Sequence, residues 1–378
     1  MGIGKRMAAL STLGLWLAAL GAAAVYAGAP APVPTSTGPH APNHQVANLG
    51  DFRFENGAVV KDFKVSYVTY GRLRPSKDNV ILAMHHFYGD HHSFDHLIGP
   101  GKGLDTDKYF IVAPDFLGNP NVRDPLTTGP TNSKLDMAFP RYTLRDSLNA
   151  DYKLLKEHLG FQHILAAAGI SIGGMKVYQL AVSYPDYARG LIPMFGTPAT
   201  NYQIKAVLES HMELIELERG WLGGRYKTNP RAAVDLARWS LFPWILTTQF
   251  FLGQQNVSDA YAAWRKGSRG LVQNVPYDAR DYYYGLQSWA YFNVGDTPGF
   301  NGDTRAALAT VKGTIFIIGA RGDLLCTHAE NSMAKEAIPN ATYLVIDSER
   351  GHGACCGLDL DATKLMNQEI AAFLTKLQ

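Results

Sequence analysis

Gly169-Ile170-Ser171-Ile172-Gly173 constrains this chain more than any other five residues. The G-x-S-x-G pattern demands a sharp turn between a strand and a helix, with the serine hydroxyl projecting clear of the backbone. Its glycines are a steric requirement, because a side chain at either position would collide where strand and helix nearly touch. The flanks agree. His163 to Ala168 is an apolar run of strand length, too short for a helix. Met175, Val177, Tyr178, Leu180 and Val182 sit in a segment free of breakers until Pro185, which predicts a helix ending there. Such a turn aims Oγ at the carboxyl end of a sheet, at a helix N-terminus that favours developing negative charge.

The rest of the chain supplies that sheet. Val80–Met84, Tyr109–Ala113, Gly190–Phe195, Thr314–Gly319 and Thr342–Ile346 are apolar runs typical of strands covered on both faces. Lys64–Tyr70 alternates apolar and polar residues, as a half-exposed strand should. Leu144, Leu148, Tyr152, Leu155 and Leu159 repeat at helical spacing, with Thr143 to Asp146 as a capping box and Gly160 as a stop. Leu365, Met366, Ile370, Phe373 and Leu377 predict a closing amphipathic helix. Alternating strands and helices argue an α/β architecture, a mostly parallel central sheet flanked by helices. Between about residues 200 and 300 strand runs vanish and aromatics cluster (Trp221, Trp239, Trp264 and Tyr282 among them). We read 200–300 as a helical lid whose aromatics mainly form its own core, and 46–199 with 301–378 as the sheet-bearing core.

Lys5 and Arg6 precede an apolar stretch from Met7 to about Val25. This pattern predicts a signal peptide over 1–27, cleaved after Ala27, and hence a secreted or periplasmic protein with no stable membrane insertion after cleavage. Residues 28–45, rich in Ala and Pro, read as a flexible lead-in. A formal charge of +2 without a basic run excludes nucleic acid as an expected partner.

A serine nucleophile needs a base, and the base needs a group to orient it. On an elbow fold these follow as acid and then His, each on a loop after a later strand. Asp323 lies just past the run ending at Gly319, and His352 past the run ending at Ile346. They are the candidate acid and base for Ser171; Asp347 and Glu349 are weaker rivals for the acid because they share the loop of His352. An oxyanion hole needs two backbone N–H groups. Ile172 offers one, and Phe87 in the loop His85-His86-Phe87-Tyr88-Gly89 offers the other. His86 and Tyr88 flank Phe87 and are candidates for substrate contact. His85, His86, His91, His92 and His96 match no recognised zinc spacing, so neither a metal nor a cofactor is expected.

With these residues placed, the chain resembles the homoserine O-acetyltransferase family of the α/β-hydrolase superfamily. The resemblance rests on Tyr67-Val68-Thr69-Tyr70-Gly71, His85 through Asp90, Asp105 through Phe110, Leu117-Gly118, Thr128-Gly129-Pro130, Phe139-Pro140 through Asp146, Ser171 through Met175, and the Asp323 and His352 loops. It implies an α/β-hydrolase fold with a helical lid. It also implies that Arg238, in Leu236-Ala237-Arg238, holds a substrate carboxylate. Two positions depart from the family pattern. Ile245 stands where the family has a tyrosine, and Gly353 where it has the acid that receives a substrate amino group. An ammonium without that acid would be left unpaired, which is costly in a pocket.

These readings combine into an expected function. Export and Gly353 favour water as acyl acceptor, hence an exported serine hydrolase acting on a small-molecule ester. An O-acyltransferase of the homoserine O-acetyltransferase type is the alternative, and a non-catalytic binding protein on the same scaffold the second alternative. A homodimer is entertained as the assembly. Cys326 lies three residues past Asp323, and Cys355 and Cys356 just past His352. A disulfide from Cys326 to one of the pair would clamp the acid and base loops together in an oxidising compartment.

Overall fold

The computed structural model of the chain describes residues 44–87, 89–118, 127–253, 260–275 and 277–378. The expected leader (1–27), nearly all of the lead-in (28–45) and Tyr88 lie outside the described residues.

Among the described residues there are ten strands: β1 (Gln45–Asn48), β2 (Phe52–Arg53), β3 (Val59–Val60), β4 (Lys64–Tyr70), β5 (Val80–Met84), β6 (Phe110–Pro114), β7 (Ile164–Ile170), β8 (Ala188–Met194), β9 (Thr314–Ala320) and β10 (Thr342–Ile346). β2 and β3 pair alone, and the other eight form one sheet in the order β1-β4-β6-β5-β7-β8-β9-β10. β1, β4 and β6 pair antiparallel, and from β6 to β10 every pairing is parallel. β5 and β7 are buried along their whole length, as expected of strands covered on both faces.

β4 differs from its expected half-exposed state. Val65, Ser66, Tyr67 and Val68 are all buried, because the two apolar cores cover both faces of the strand and a distant loop bonds its backbone. Thr127 Oγ1 accepts from the Ser66 N–H at 2.9 Å, and Thr128 Oγ1 from the Lys64 N–H at 2.7 Å.

The helix opening at Leu144 (α1, Leu144–Lys153) carries the Thr143–Asp146 capping box, and it continues as a single wide turn over Leu154–His158. The elbow helix (α2, Ile172–Ser183) ends two residues before Pro185. Between β8 and β9 the regular elements described are helical: α3 (Tyr202–Leu217), α4 (Arg231–Ser240), α5 (Phe242–Ile245), α6 (Thr248–Gly253), α7 (Ala260–Asn274), α8 (Ala279–Ala290) and α9 (Thr304–Leu308). α10 (His328–Ala337) separates β9 from β10, and α11 (Leu360–Thr375) closes the chain. Two large apolar cores cover opposite faces of the sheet; Phe250, Trp264 and Leu246 form a third, smaller cluster with Trp239 and Phe251 packed on it. Among the described residues no helix is long and apolar enough to cross a membrane.

Candidate active site

The register of the parallel strands brings the candidate loops together. Met84 is paired with Gly169, Ile170 with Met194, and Ala320 with Ile346. Residues a few positions past these strand ends therefore meet at one edge of the sheet. Ser171 takes φ +57° and ψ −118°, a conformation that side chains rarely adopt and that recurs at functional turns. Its N–H is held by the Met194 carbonyl at 2.8 Å. Both elbow glycines are needed for the reason the motif suggests. A Cβ on Gly169 would run into the Gly173 carbonyl, and one on Gly173 into the Met84 carbonyl.

Ser171, His352 and Asp323 form a continuous hydrogen-bonded row. Ser171 Oγ lies 2.9 Å from His352 Nε2, and His352 Nδ1 lies 2.7 Å from Asp323 Oδ2. Asp323 Oδ1 accepts the N–H groups of Leu325 and Cys326 at 2.8 and 2.9 Å. All three side chains are buried. Burial disfavours the His352 imidazolium, but the charge and hydrogen bond of Asp323 outweigh it, and its pKa stands above the ordinary histidine value. The rivals are exposed, unlike Asp323: Asp347 is paired with Arg321 at 2.7 Å, and Glu349 faces solvent.

Phe87 sits three residues past Met84, and Ile172 three past Gly169, so both follow the paired ends of β5 and β7. The loop is set by His85, whose Nε2 accepts the Phe116 N–H at 3.1 Å while Nδ1 lies 2.8 Å from the His86 carbonyl. Only the tautomer with the proton on Nδ1 satisfies both contacts. The Gly89 N–H returns to the His86 carbonyl at 3.0 Å, and a Cβ on Gly89 would strike Ser93 and His86. The Phe87 ring packs against Tyr282 and Trp289, with centroids 5.7 and 5.6 Å away.

Ser171 and His352 open into a cavity whose walls are mostly apolar. Leu241, Ile245, Val272, Val275 and Trp289 come from the helical segment, while His86, Phe87 and Asp90 come from the loop after β5. Burial, followed by the neighbouring His85 and His352, lowers the His86 pKa to about 3, so it stays neutral. Among the described residues no group of three or more His, Cys, Asp or Glu could hold a metal ion.

Arg238 also lines the cavity, and one end of its guanidinium is bonded to the chain. Nη1 donates to the carbonyls of Val272 and Val275 at 3.0 and 2.5 Å, and the group stacks 3.6 Å above the Tyr277 ring. The space beside Gly353 is filled: a Cβ there would lie 2.9 Å from Leu358 Cδ1 and 3.3 Å from Ile245 Cγ2. The bridge expected from Cys326 is not formed. All three cysteines are free thiols. Cys326 hydrogen-bonds Thr197, and Cys355 Sγ stands 2.8 Å from Cys356 Sγ instead.

Sequence reasoning missed the aromatic wall made by Trp289 and Tyr277. The abundance of aromatics in the helical segment was visible, but helical periodicity could not separate those facing the cavity from Trp264 and Phe250, which face their own cluster.

Fold and site together define a serine-centred enzyme of the α/β-hydrolase fold, and residues 79–355 match the family model described by that name. A homoserine O-acetyltransferase from Methanosphaera stadtmanae is 31% identical over 86% of this chain and 72% of its own. The crystal structure of a homoserine O-acetyltransferase from Bacillus anthracis superposes with a TM-score of 0.79 at 26% identity, covering 88% of this chain and 97% of that one. Esterase E22 superposes with a TM-score of 0.78 at 26% identity, covering 88% and 100%. The chain belongs to the α/β-hydrolase fold family and, within it, to the group that resembles the homoserine O-acetyltransferases.

This corrects the leading functional expectation. An exported serine hydrolase gives way to the acyltransferase reading, because curated relatives matching 85–86% of the chain carry the acetyltransferase name. The error has a physical source. A Ser-His-Asp row serves water and alcohol alike, so the preference for water rested on the N-terminal stretch and on one glycine.

Proposed function

We propose that this protein is an O-acyltransferase of the homoserine O-acetyltransferase type, moving a small acyl group from a thioester or ester donor to the hydroxyl of a small acceptor. Ser171 attacks the donor carbonyl as His352 takes the Oγ proton, and the N–H groups of Phe87 and Ile172 receive the oxyanion. Collapse expels the leaving group, which takes the proton from His352. The acceptor hydroxyl then gives its proton to His352 and attacks the acyl-serine, and Ser171 is released when the imidazolium returns that proton. Asp323 keeps the imidazole in the tautomer with Nδ1–H and stabilises the imidazolium. The supporting observation is the unbroken row Ser171–His352–Asp323 at the cavity floor, with contacts of 2.9 and 2.7 Å.

The test is a thioester-cleavage assay with acetyl-CoA, with and without homoserine, on the wild-type chain and Ser171→Ala. Cleavage should rise at least tenfold with the hydroxyl acceptor, give stoichiometric O-acetyl product, and vanish in the variant. Equal cleavage with and without any hydroxyl acceptor would overturn the reading.

A further inference from the structure

Acyl transfer leaves Cys355 and Cys356 without a task. They end the turn Gly351–Cys356 that carries His352, and both line the cavity containing Ser171. Their sulfurs stand 2.8 Å apart, inside the ordinary contact distance of two unbonded sulfurs. Cys355 is buried, whereas Cys356 is half-buried and reachable from the cavity.

We propose that Cys355 and Cys356 form a reversible two-electron modification site, in which a low-molecular-weight disulfide converts the dithiol to a vicinal disulfide and thereby displaces His352. The Cys356 thiolate attacks one sulfur of the reagent RS–SR, forming a Cys356–S–SR bond and releasing RS⁻. Cys355 then loses its proton and attacks Cys356 Sγ, forming the Cys355–Cys356 bond and releasing the second RS⁻. With two protons taken up by the released thiolates, the protein dithiol is oxidised and RS–SR is reduced to two RSH.

The two thiols are suited to different parts of this sequence. The hydrogen bond from Cys355 lowers the Cys356 pKa, with His352 adding to the effect, while burial pushes Cys355 up. A half-exposed, acidified thiol is the better first attacker. Cys326 plays no part, because its thiol is buried and hydrogen-bonded to Thr197.

Ring closure reaches His352 through the turn they share. Consecutive Cα atoms stand about 3.8 Å apart, less than the roughly 4.4 Å lower limit of ordinary disulfides. The turn must therefore adjust when the ring closes. It is held by the N–H groups of Gly351 and Gly353, bonded to the Ser348 and Arg350 carbonyls at 3.1 and 2.9 Å. A shift of about 1 Å at a catalytic group costs on the order of 100-fold in rate. A strained bridge of this kind is also readily reduced, which makes the site reversible.

The inference rests on the Ser171–His352 contact and holds whichever hydroxyl receives the acyl group. The experiment treats the full chain with oxidised glutathione, alkylates it in denaturant, and maps the peptides by mass. Cleavage of a chromogenic acetyl ester is followed in parallel. Expected are one alkylated thiol at Cys326, a peptide about 2 Da light that contains Cys355 and Cys356, and at least a tenfold rate loss reversed by dithiothreitol. Cys356→Ser should lose both the mass change and the reversible inhibition, and Cys326→Ser should keep both. Three alkylated thiols, a persistent glutathione adduct, a bridge to Cys326, or a closed ring with an unchanged rate would each overturn the proposal. Thiol mapping is independent of activity, so its failure is distinct from a failure of the acyltransferase reading.

Discussion

Asp323→Asn tests the site most sharply, because the structure decides how the new side chain must lie. In the native chain Asp323 Oδ1 accepts two backbone N–H groups, from Leu325 and Cys326, and Oδ2 faces His352 Nδ1. An asparagine keeps both backbone bonds only by placing its single oxygen where Oδ1 was. Its NH2 then points at His352 Nδ1, which must become an acceptor. The imidazole proton moves to Nε2 and is aimed at Ser171 Oγ, 2.9 Å away. A base that already holds its proton cannot take the serine's. The opposite flip fares worse, since it sets the NH2 against two buried N–H donors. The expected loss is about 10⁴-fold in kcat, or roughly 5 kcal/mol of transition-state stabilisation. Asp323→Ala, which leaves the tautomer free, should lose less. The acid limb provides a second readout. His352 must be neutral to act, so activity is present above its pKa and lost as pH falls through it. In the native chain that limb should lie above about 6.5, the ordinary histidine value. In Asp323→Ala it should fall below, since burial remains while the carboxylate is gone. Stopped-flow acylation with a chromogenic acetyl ester, across pH 5 to 9, measures both. An asparagine variant within tenfold of wild type would refute the orienting role of Asp323.

Gly353→Asp should destabilise the chain by about 1–3 kcal/mol, because Leu358 and Ile245 fill the space its side chain needs; adding Leu358→Ala should recover part of the Tm loss in thermal melts. Lys176 of the elbow helix and Asp151 of α1 form a buried ion pair at 2.5 Å. Lys176→Met alone should cost about 3–5 kcal/mol in urea unfolding, and the double variant with Asp151→Leu far less. Asp281 is pushed up to about 7 by burial and the nearby Asp278. Its raised folded pKa means that native stability falls as pH rises from about 4 to 7, so the Tm advantage of Asp281→Asn should grow over that window. That gain is bounded at about 4 kcal/mol, and a pH-independent difference would count against it.

What was legible in the sequence was local. The elbow was readable because its glycines answer a steric demand within five residues, and Asp323 and His352 were readable because each follows its strand by a short loop. The covering of β4 was not, since the threonines that bond its backbone lie 61 and 64 positions away. The wide turn over Leu154–His158 left no mark either, because Leu155 and Leu159 keep a helical spacing through it. Arg238 was flagged by its motif, yet its bonds to carbonyls 34 and 37 positions on could not be seen. The sulfurs of Cys355 and Cys356 meet within a single turn, but two adjacent cysteines carry no signal that their side chains converge.

The choice between water and alcohol is made outside the residues that do the chemistry. A Ser-His-Asp row can serve water and alcohol alike, so an acyl-serine is diverted to an alcohol only if that hydroxyl is held against it while water is kept out. On the proposed reading, both conditions would fall to the helices between β8 and β9. They contribute Leu241, Ile245, Val272 and Trp289 to the cavity, and the Phe87 ring that braces the loop after β5 rests on Tyr282 and Trp289. One segment therefore both lines the cavity and packs on the loop that carries Phe87. An esterase and an acetyltransferase share the scaffold at similar likeness to this chain. A change in the packing of that segment is expected to shift the acceptor without touching the elbow, read as the ratio of acetyl-ester hydrolysis to O-acetyl product formed.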